Sequence, residues 1–502
     1  MISKFRCLLY FSVISTLTVV SLIVTMPYMT SVILNINQFN WKNATNALHL
    51  QAERFLSRVG AMNPGQTMLS SERNTTEGNN QGSDKEARRA TGKKYPDVTS
   101  SFAPGRLDTL ENKHLQVASK SLLMYAAYYD DVRKPARITI VGIRGQNFSS
   151  PSVNCSFSNT KDHQQGHTTH FSSTSGRVED LPDHHSYWYR PVYIFCSLPE
   201  GKLRPDHVSV VCHNDSVPNL LQITYPYKGP HRYQFSMCVS PVYGGYNIWR
   251  QSLESMEMAR MLGVDHVNVY VEKAGPNLTR VLQHYVDQGF MSVLPWNGIP
   301  SNVHAHAQVG CMHDCLLRMR YVTKYVVFID LDELIILRTN NTLREMVEHV
   351  LKQTKDADKV GAIMVRNSFF HHAPQEKINI TDTYLQANLT GGLFTKARLY
   401  DLKSVLMQFR GKPWEPPQRC RTIADPLRVD TMAVHHPETM FGDFKVVVVD
   451  PKIGLLHHYR YGWHNEDTVR DTTAHRLTPI LVKRLEAVYK QLGLKPADDH
   501  RR

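Results

Sequence analysis

Two hydrophobic periodicities alternate along the C-terminal half of the chain. Short apolar runs, typical of buried strands, have the sequences QFSMCVSPVY, HVNVYVE, FMSVLPW and KYVVFID. The segments between them carry apolar residues at helical spacing, over Tyr246 to Leu262, Asn277 to Gln288 and about His304 to Tyr321. Because strands and helices alternate, we expect βαβ units and a mostly parallel sheet, forming an α/β domain over residues 229–490.

The preceding region has a different pattern. ARITIVGI, YWYRPVYIFCSL and HVSVVC are β-rich runs, and loops containing Gly, Pro, Asn and His separate them. They predict a small β-sandwich-like domain over residues 107–228, with a disulfide among Cys155, Cys196 and Cys212. Its loop histidines leave a metal site open as a second interpretation, although they lack a fixed ligand spacing. These histidines include His163, His167, His170, His184 and His185.

The N-terminus predicts a membrane anchor. Residues 7–26 contain no charged side chain and are long enough to span a bilayer, while Lys4 and Arg6 precede them. Basic residues stay on the cytoplasmic side, so we expect a cytoplasmic tail over residues 1–6 and an uncleaved signal anchor over residues 7–26. Residues 27–106 are polar and predict a flexible stem, and residues 491–502 a C-terminal tail. The protein would be a single-pass type II membrane protein.

Sequons and cysteines agree with a lumenal orientation. Nine N-glycosylation sequons follow the predicted anchor, at Asn43, Asn74, Asn147, Asn154, Asn214, Asn277, Asn340, Asn379 and Asn388. Seven cysteines also follow it, an odd number, so we expect disulfides plus one cysteine that is free or pairs between chains, which leaves a homodimer open. Cys311 and Cys315 lie one helical turn apart and should pair with other segments; a CxxxC metal site is the alternative.

The net charge changes this picture little. It is +13, but the basic residues are scattered and interleaved with acidic ones, as in KEARRATGKK. No basic stretch has interleaved aromatic residues or zinc-finger spacing, so we expect no nucleic-acid partner.

Candidate chemistry lies in the segment YVVFIDLDELIIL, residues 325–337. Asp330 comes at the carboxyl end of a predicted strand, where parallel sheets bind ligands. Asp330 and Asp332 should point to one side and Leu331 to the other. Two carboxylates so close need a cation, and oxygen ligands favour Mg²⁺ or Mn²⁺ over zinc. An EF-hand does not fit, because its repeated Asp and Asn positions and its glycine are missing.

Two other interpretations of these carboxylates remain open. They could be turn residues before the next helix, where Thr342 and Glu345 form a predicted capping box. They could also belong to a phosphatase of the haloacid dehalogenase type. That family expects Thr or Val where this chain has Leu334, and its domain begins with the motif rather than after three strand-helix units.

The residues resemble a known family. An Asp-x-Asp after a nucleotide-binding half is similar to the motif of nucleotide-sugar glycosyltransferases of GT-A architecture. The segment from RYQFSMCVSPVYGG to VNVYVE, then QVGCMHDCLLRMRYVTKYVVFIDLDELI, VHHPE and LLHHYR, resemble glycosyltransferase family 92. The resemblance implies a GT-A, Rossmann-like domain over residues 229–490 and an inverting transferase in the Golgi membrane with a lumenal catalytic domain.

The same resemblance implies roles for individual residues. Asp332 should ligate Mn²⁺, Asp330 should contact the metal or the donor ribose, and Glu333 should be a donor-side or structural carboxylate. We expect His458 to complete the metal shell, with His457 or His435 as substitutes. Other candidate residues are Glu438 and Asp443 as the catalytic base and Arg460 beside the donor diphosphate.

The expected reaction is transfer of galactose from UDP-galactose to a terminal β-galactoside of a glycoprotein N-glycan, forming Galβ1-4Gal. Core fucose is an alternative acceptor within the family. A lumenal lectin-like protein without catalysis is a hypothesis of another class, and the intact Asp-Leu-Asp-Glu argues against it.

Overall fold

The computed structural model describes residues 115–148, 152–159, 172–201, 204–212, 216–245, 247–373, 378–460 and 468–496. All of them fall within one compact unit, Lys93–Arg502. The predicted tail 1–6, anchor 7–26 and stem 27–106 lie outside the described residues, as does residue 497 onward. Over the described ranges, no helix is long and apolar enough to cross a membrane.

The first eight strands form one antiparallel sheet with an additional parallel pairing. They are β1 Gln116–Ser119, β2 Leu122–Asp130, β3 Arg137–Gly145, β4 Ser152–Ser158, β5 Ser172–Asp180, β6 Tyr189–Ser197, β7 His207–Val211 and β8 Leu221–Thr224. Their order is β1-β2-β3-β6-β5-β4-β7-β8. The three β-rich runs identified in the sequence become β3, β6 and β7, which confirms those strand predictions.

The sheet closes on itself instead of forming the predicted sandwich. One half of β2 pairs with β1, while its other half pairs with β8 through Ala127 and Ile223. A disulfide joins Cys155 on β4 to Cys196 on β6. Gly176 lies on β5 between those strands, and a Cβ there would be 2.7 Å from Cys155 Sγ, so a side chain has no room. We call this closed sheet the barrel.

The remaining strands and the helices follow in chain order. The strands are β9 Tyr233–Val242, β10 His266–Val271, β11 Met291–Pro295, β12 Thr323–Ile329, β13 Glu333–Leu337, β14 Val360–Val365, β15 Asn367–His371, β16 Phe409–Arg410, β17 Arg421–Ala424, β18 Val429–Met432, β19 Pro437–Met440, β20 Lys445–Val449, β21 Gly454–Tyr459 and β22 Val469–Arg470. The helices are α1 Trp249–Met261, α2 Pro276–Asp287, α3 Gln308–Met319, α4 Leu343–Gln353, α5 Ile378–Asn388, α6 Leu393–Leu399, α7 Lys403–Leu406 and α8 Thr478–Leu492.

A seven-stranded sheet carries the α/β pattern that the sequence predicts. Its order is β11-β10-β9-β12-β17-β14-β20, with β9 to β12 mutually parallel and β17 antiparallel to its neighbours. Met237 packs with α1 and α2 in one apolar cluster, whereas Cys238 packs with α3 in another. Because successive strand residues face opposite sides, helices cover both faces of this sheet. The α/β class is therefore confirmed.

The chain order along the sheet reverses between β9 and β12. Strands β9, β10 and β11 run toward one edge, and the chain then returns to place β12 on the other side of β9. Such a switch point opens a crevice beyond the carboxyl ends of the two strands. A disulfide from Cys238 on β9 to Cys315 on α3 fixes the helix over the sheet beside this crevice. Cys315 pairs with another segment, as predicted, whereas Cys311 is a buried thiol without a disulfide, so the prediction that it also pairs is wrong.

Helix α3 also joins the α/β layers to the barrel. Asp314 is fully buried, and Tyr128 of the barrel and Tyr270 of β10 each donate a hydrogen bond to it at 2.5 Å. Arg318 lies one helical turn further and pairs with the same carboxylate at 3.0 Å. The barrel and the sheet are therefore tied together by a buried, hydrogen-bonded charge pair.

The predicted glycosylation sites lie in different environments. The exposed ones are Asn147, Asn154 and Asn388, and the half-buried ones are Asn277 and Asn340. Asn379 is part of α5. Asn43, Asn74 and Asn214 lie outside the described residues. Glycosylation stays a prediction at every position.

Candidate active site

Asp330 lies at the switch point. It directly follows β12, whose Ile329 pairs with Val239 of β9, so Asp330 lies next to Ser240. The Ser240 hydroxyl donates to Asp330 Oδ1, and Gln308 donates to the Ser240 oxygen at 2.6 Å. A cavity of about 330 Å³ opens here, lined among others by Asp330, Asp332 and Tyr243. Its size suits a small-molecule ligand.

The three acids interrupt an apolar run because two strands of different sheets meet there. Strand β12 belongs to the seven-stranded sheet, whereas β13 belongs to a five-stranded sheet of order β13-β21-β15-β16-β22. Asp330, Leu331 and Asp332 form the turn between them, and Glu333 begins β13. The turn directs Asp330 and Asp332 to the cavity and leaves Glu333 buried behind it. The predicted capping box downstream forms in part: Glu345 N–H donates to Thr342 Oγ1 at 3.2 Å, but the Glu345 carboxylate accepts from Asn341 N–H at 2.9 Å.

Arg421 holds two of these carboxylates. It begins β17, which pairs with β12 and β14, and its side chain is 4% exposed. Its Nε donates to Glu333 Oε2 at 2.6 Å, one terminal nitrogen donates to Asp330 Oδ2, and the other donates to Val434 O at 3.0 Å. A buried guanidinium between two carboxylates supplies the countercharge that they need in a low dielectric.

His458 contacts one oxygen of Asp332 and one of Glu333. It lies on β21 directly opposite Glu333 in the antiparallel register. Its Nε2 is 3.1 Å from Asp332 Oδ2, and its Nδ1 is 3.1 Å from Glu333 Oε1. The Asp332 side chain is 39% exposed and that of His458 11%, so Asp332 presents its carboxylate to the cavity with the imidazole beside it.

The charges of the cluster follow from burial and these contacts. Burial alone would lower the pKa of His458, but hydrogen bonds to Asp332 and Glu333 raise it to about 9. Burial alone would raise the pKa of Glu333, but Arg421 and His458 hold it below its usual range. Burial raises the pKa of Asp330, against the opposing effect of Arg421. With its pKa raised in this way, His458 is an imidazolium near neutral pH and donates to both acids.

The substitute histidines occupy different positions. His457 points to the opposite side of β21, where it is fully buried and stacks on Phe370 at 3.8 Å between ring centroids. Burial lowers the pKa of His457, so it is a neutral core residue. His435 is half-buried, and burial together with the nearby Arg421 lowers its pKa to about 4. His458 is thus the predicted histidine that the structure brings into contact with Asp332.

Two further predicted site residues, Glu438 and Arg460, are exposed. Glu438 on β19 is 48% exposed and pairs with His436 at 3.2 Å. The Arg460 guanidinium is exposed and lies 5.5 Å from the Phe369 ring, which also contacts His458.

Asp443 lies at the other end of the sheet from the cluster. It is 74% exposed and pairs with Lys359 at 2.5 Å. Lys359 precedes β14 at one end, while Arg421 pairs with Val365 at the other end. This placement is inconsistent with the expectation that Asp443 acts as the catalytic base.

Asp332 and His458 fit a divalent cation that a ligand helps to hold. In the described part of the chain, no three His, Cys, Asp or Glu side chains are grouped so as to bind an ion by themselves. Mg²⁺ and Mn²⁺ sites often use one or two protein ligands together with substrate phosphate oxygens, so a cluster of this kind is compatible with such an ion. Binding would require His458 to release its proton.

Arg421, Ser240 and Gln308 were not predicted as site residues. Ser240 and Gln308 lie in segments that resemble the family, but nothing in those segments pointed to their contacts with Asp330, and Arg421 lies outside the quoted segments. One signal was present: Arg421 is a charged residue directly before TIA, a short β-type run, and a charge at the start of a buried strand needs a partner.

Comparisons with known proteins agree with the geometry. The family model for glycosyltransferase family 92 matches residues 233–487. A glycosyltransferase family 92 protein of Caenorhabditis elegans is 23% identical over 237 residues, which cover 45% of this chain and 42% of that protein. The beta-1,4-galactosyltransferase galt-1 of the same organism is 22% identical over 224 residues, covering 41% and 52%. The chain spans about half the length of the curated relatives it matches.

Among solved structures, one similar chain is glucosyl-3-phosphoglycerate synthase from Mycobacterium tuberculosis in complex with Mn²⁺ and UDP-glucose. It aligns with 53% of this chain and 81% of its own, at 12% identity and a TM-score of 0.23. A TM-score this low does not establish a shared fold. The family match spans just over half of the chain and includes Asp330, Asp332, Arg421 and His458, so the chain belongs to glycosyltransferase family 92.

Proposed function

We propose that the protein is a metal-dependent, inverting hexosyltransferase that moves galactose from UDP-galactose to a terminal β-galactoside of a glycoprotein N-glycan. One observation carries the proposal: in a family 92 chain, Asp330 and Asp332 line a cavity of about 330 Å³ at the switch point of a parallel sheet. Nucleotide ligands bind at that position in doubly wound sheets.

The donor diphosphate would lie beside Asp332 and His458, the two side chains that would hold Mn²⁺. When bound, the cation neutralises the charge that develops on the departing diphosphate. Asp330 is fixed by Ser240, Gln308 and Arg421, which suits it to orienting the donor rather than moving a proton. Rigid placement of this kind lowers the cost of bringing the reacting groups together.

The finer assignments rest on the resemblance and on one relative. Galactose as donor sugar and a β1-4 linkage are supported by the similarity to the C. elegans beta-1,4-galactosyltransferase galt-1. Golgi residence and type II orientation are supported by the apolar, uncharged residues 7–26 after Lys4 and Arg6. The sequons and the disulfides Cys155–Cys196 and Cys238–Cys315 are compatible with a lumenal environment.

The test is turnover by the full-length chain purified in detergent, with UDP-galactose, Mn²⁺ and a panel of sugar acceptors. Asp332→Asn should lower Mn²⁺-dependent hydrolysis and transfer by about 100-fold or more, because one of two protein ligands is weakened. Asp443→Asn is the matched control, since that aspartate is exposed at the other end of β14. If the wild type neither hydrolyses UDP-galactose nor transfers its sugar, or if Asp332→Asn has no effect, the proposal is wrong.

A further inference from the structure

The connection from β5 to β6 brings a second group of residues to the cavity mouth. Residues 181–188, LPDHHSYW, form this connection, which we call the barrel loop. Tyr187 and Trp188 in it are 39% and 40% exposed. Among the described residues with large exposed apolar side chains, the aromatic ones are Tyr187, Trp188 and Tyr243, and Tyr243 lines the cavity itself. The large exposed aromatic surface is thus concentrated in segments that meet near one place.

The barrel loop is anchored at both ends and folded tightly. Leu181 N–H donates to Pro191 O at 2.9 Å, and Tyr187 N–H donates to His184 O at 3.0 Å. Asp183, His185 and Ser186 all have positive φ, an unusual conformation for residues with a side chain. Such strain persists where the surroundings fix the backbone, and it recurs at functional sites. The two aromatic rings are therefore presented on a defined backbone.

One side of the barrel loop reaches the carboxylate cluster. Asp183 Oδ2 accepts a hydrogen bond from Val434 N–H at 2.7 Å. The carbonyl of the same Val434 accepts from Arg421, which in turn binds Asp330 and Glu333. A single residue thus separates the barrel loop from the arginine that holds the donor-side acids.

The other side of the barrel loop reaches the wall of the cavity. The His304 ring lies 4.1 Å from the His185 ring and 5.5 Å from the Tyr187 ring. Tyr189 N–H donates to Asn302 O at 2.9 Å, which ties the loop end to the same segment. Ala305, which directly follows His304, lines the cavity with Asp330 and Asp332. The barrel loop therefore borders the mouth from two directions.

We propose that Tyr187 and Trp188 bind the acceptor glycan and hold its terminal sugar at the mouth of the donor cavity. A hexopyranoside has one face lined by C–H groups, which packs on an aromatic ring, while its hydroxyls stay hydrated or hydrogen-bonded. The His304 ring lies beside the Tyr187 ring and the His185 ring beside that of His304, so both histidines offer polar atoms to those hydroxyls. This inference rests on the proposed function, because it assigns the acceptor side of the same reaction.

The size of the surface favours a glycan over a protein partner. Two exposed rings and their histidine neighbours are a small patch, whereas a stable protein interface buries about 800 Å² on each partner. Continuity with a donor cavity also requires an occupant that places one hydroxyl near the transferred sugar. The barrel would thus supply the acceptor-binding surface and the seven-stranded sheet the donor site.

The experiment compares kinetics and binding in the full-length chain. Tyr187→Ala and Trp188→Ala should each raise the acceptor KM about tenfold, the cost of losing one well-placed aromatic contact, while the donor KM changes less than twofold. Trp188→Phe should recover part of the loss because a ring remains. Val211→Ala is the matched control: it removes an apolar side chain that is 38% exposed on β7, and all constants should stay at the wild-type values.

Direct binding separates failure of this inference from failure of the proposed function. Saturation-transfer NMR with N-acetyllactosamine, without donor, should show contact in the wild type that Trp188→Ala abolishes. A wild type that binds this probe but transfers nothing would contradict the proposed function and support the acceptor surface. The inference is overturned if the probe does not bind, if acceptor and donor KM rise together, or if the substitutions change only the oligomeric state in sedimentation.

Discussion

Replacing Arg421 by methionine should destabilise the fold and disable the site together. Methionine keeps most of the apolar length of the side chain but removes the charge and every donor. Glu333, whose side chain is 2% exposed, would keep His458 as its remaining cationic partner, and Val434 O would lose its hydrogen bond. One of the two cationic side chains that neutralise the buried acids would then be missing.

The magnitude follows from that burial. The Arg421 side chain is 4% exposed, so solvent screens its ion pairs little. Removing one partner of a buried ion pair costs about 3–5 kcal/mol, since the other charge is left in a low dielectric. For a domain larger than 250 residues, we expect a fall of roughly 5–10 °C in the thermal midpoint.

The assay is thermal unfolding at pH 7 followed by intrinsic fluorescence, with UDP-galactose hydrolysis measured on the same samples. Arg177→Met is the control, because Arg177 and its partner Glu179 are 57% and 49% exposed on the barrel. That exposed pair should contribute about 1 kcal/mol or less. The comparison isolates burial, since the side-chain change is the same in both variants.

A second substitution tests whether the lost stability comes from the uncompensated Glu333 carboxylate. If the cost of Arg421→Met comes from an uncompensated acid, adding Glu333→Gln should recover a large part of the stability without restoring hydrolysis. An Arg421→Met variant as stable as Arg177→Met would refute the account. So would a double variant that is less stable by the sum of the two single effects, because the residues would then act independently.

Two further predictions concern the framework around α3. His313 is fully buried and accepts from Met432 N–H at 3.1 Å, and burial lowers its pKa to about 4. Its folded-state pKa lies below the unfolded value, so its contribution to stability is complete above about pH 6.5 and falls by about 3 kcal/mol as the pH drops to 4. The free energy of unfolding, measured by urea titration at several pH values, should depend less on pH in His313→Gln than in the wild type. An unchanged pH dependence would contradict this prediction. Cys315→Ala removes a disulfide with a sequence separation of 77 and should lower the free energy of unfolding by about 2–5 kcal/mol. Cys311→Ala is the control, because it removes a buried thiol one helical turn away and measures the effect of the cavity alone. Equal unfolding midpoints for the two variants would refute the disulfide's contribution.

The sequence was most informative where burial is uniform along an element. Strands β9, β10 and β12 are buried on both faces, so their apolar runs stood out, and Asp330 was placed correctly at a strand end. Strand β5, with the sequence SSTSGRVED, was missed because every residue in it is exposed or half-buried. Its place in the barrel depends on backbone pairing with β4 and β6, which hydrophobic patterning does not encode.

Contacts between residues far apart in the sequence were the other feature that could not be predicted. The barrel closes through β2 and β8, about a hundred residues apart, and periodicity contains no information on which edges meet. The same holds for Arg421, whose contact with Asp330 spans 91 residues. His458 could be proposed from family resemblance, but its position opposite Glu333 depends on the register of β21 against β13. The carboxylates and His458 could thus be proposed from the sequence and its resemblance, whereas the countercharge from Arg421 could not.

The turn of Asp330, Leu331 and Asp332 also restricts insertions and deletions in this part of the chain. It joins strands of two different sheets, and both strands are locked by their partners, β12 by β9 and β13 by β21. One inserted residue would reverse the faces of β13 and move Glu333 out of line with His458. The spacing from Ile329 to Glu333 should therefore be fixed in length. For folding, a substitution at Leu331 should be tolerated more readily than any insertion or deletion, while Asp330 and Asp332 are also constrained by their contacts in the site.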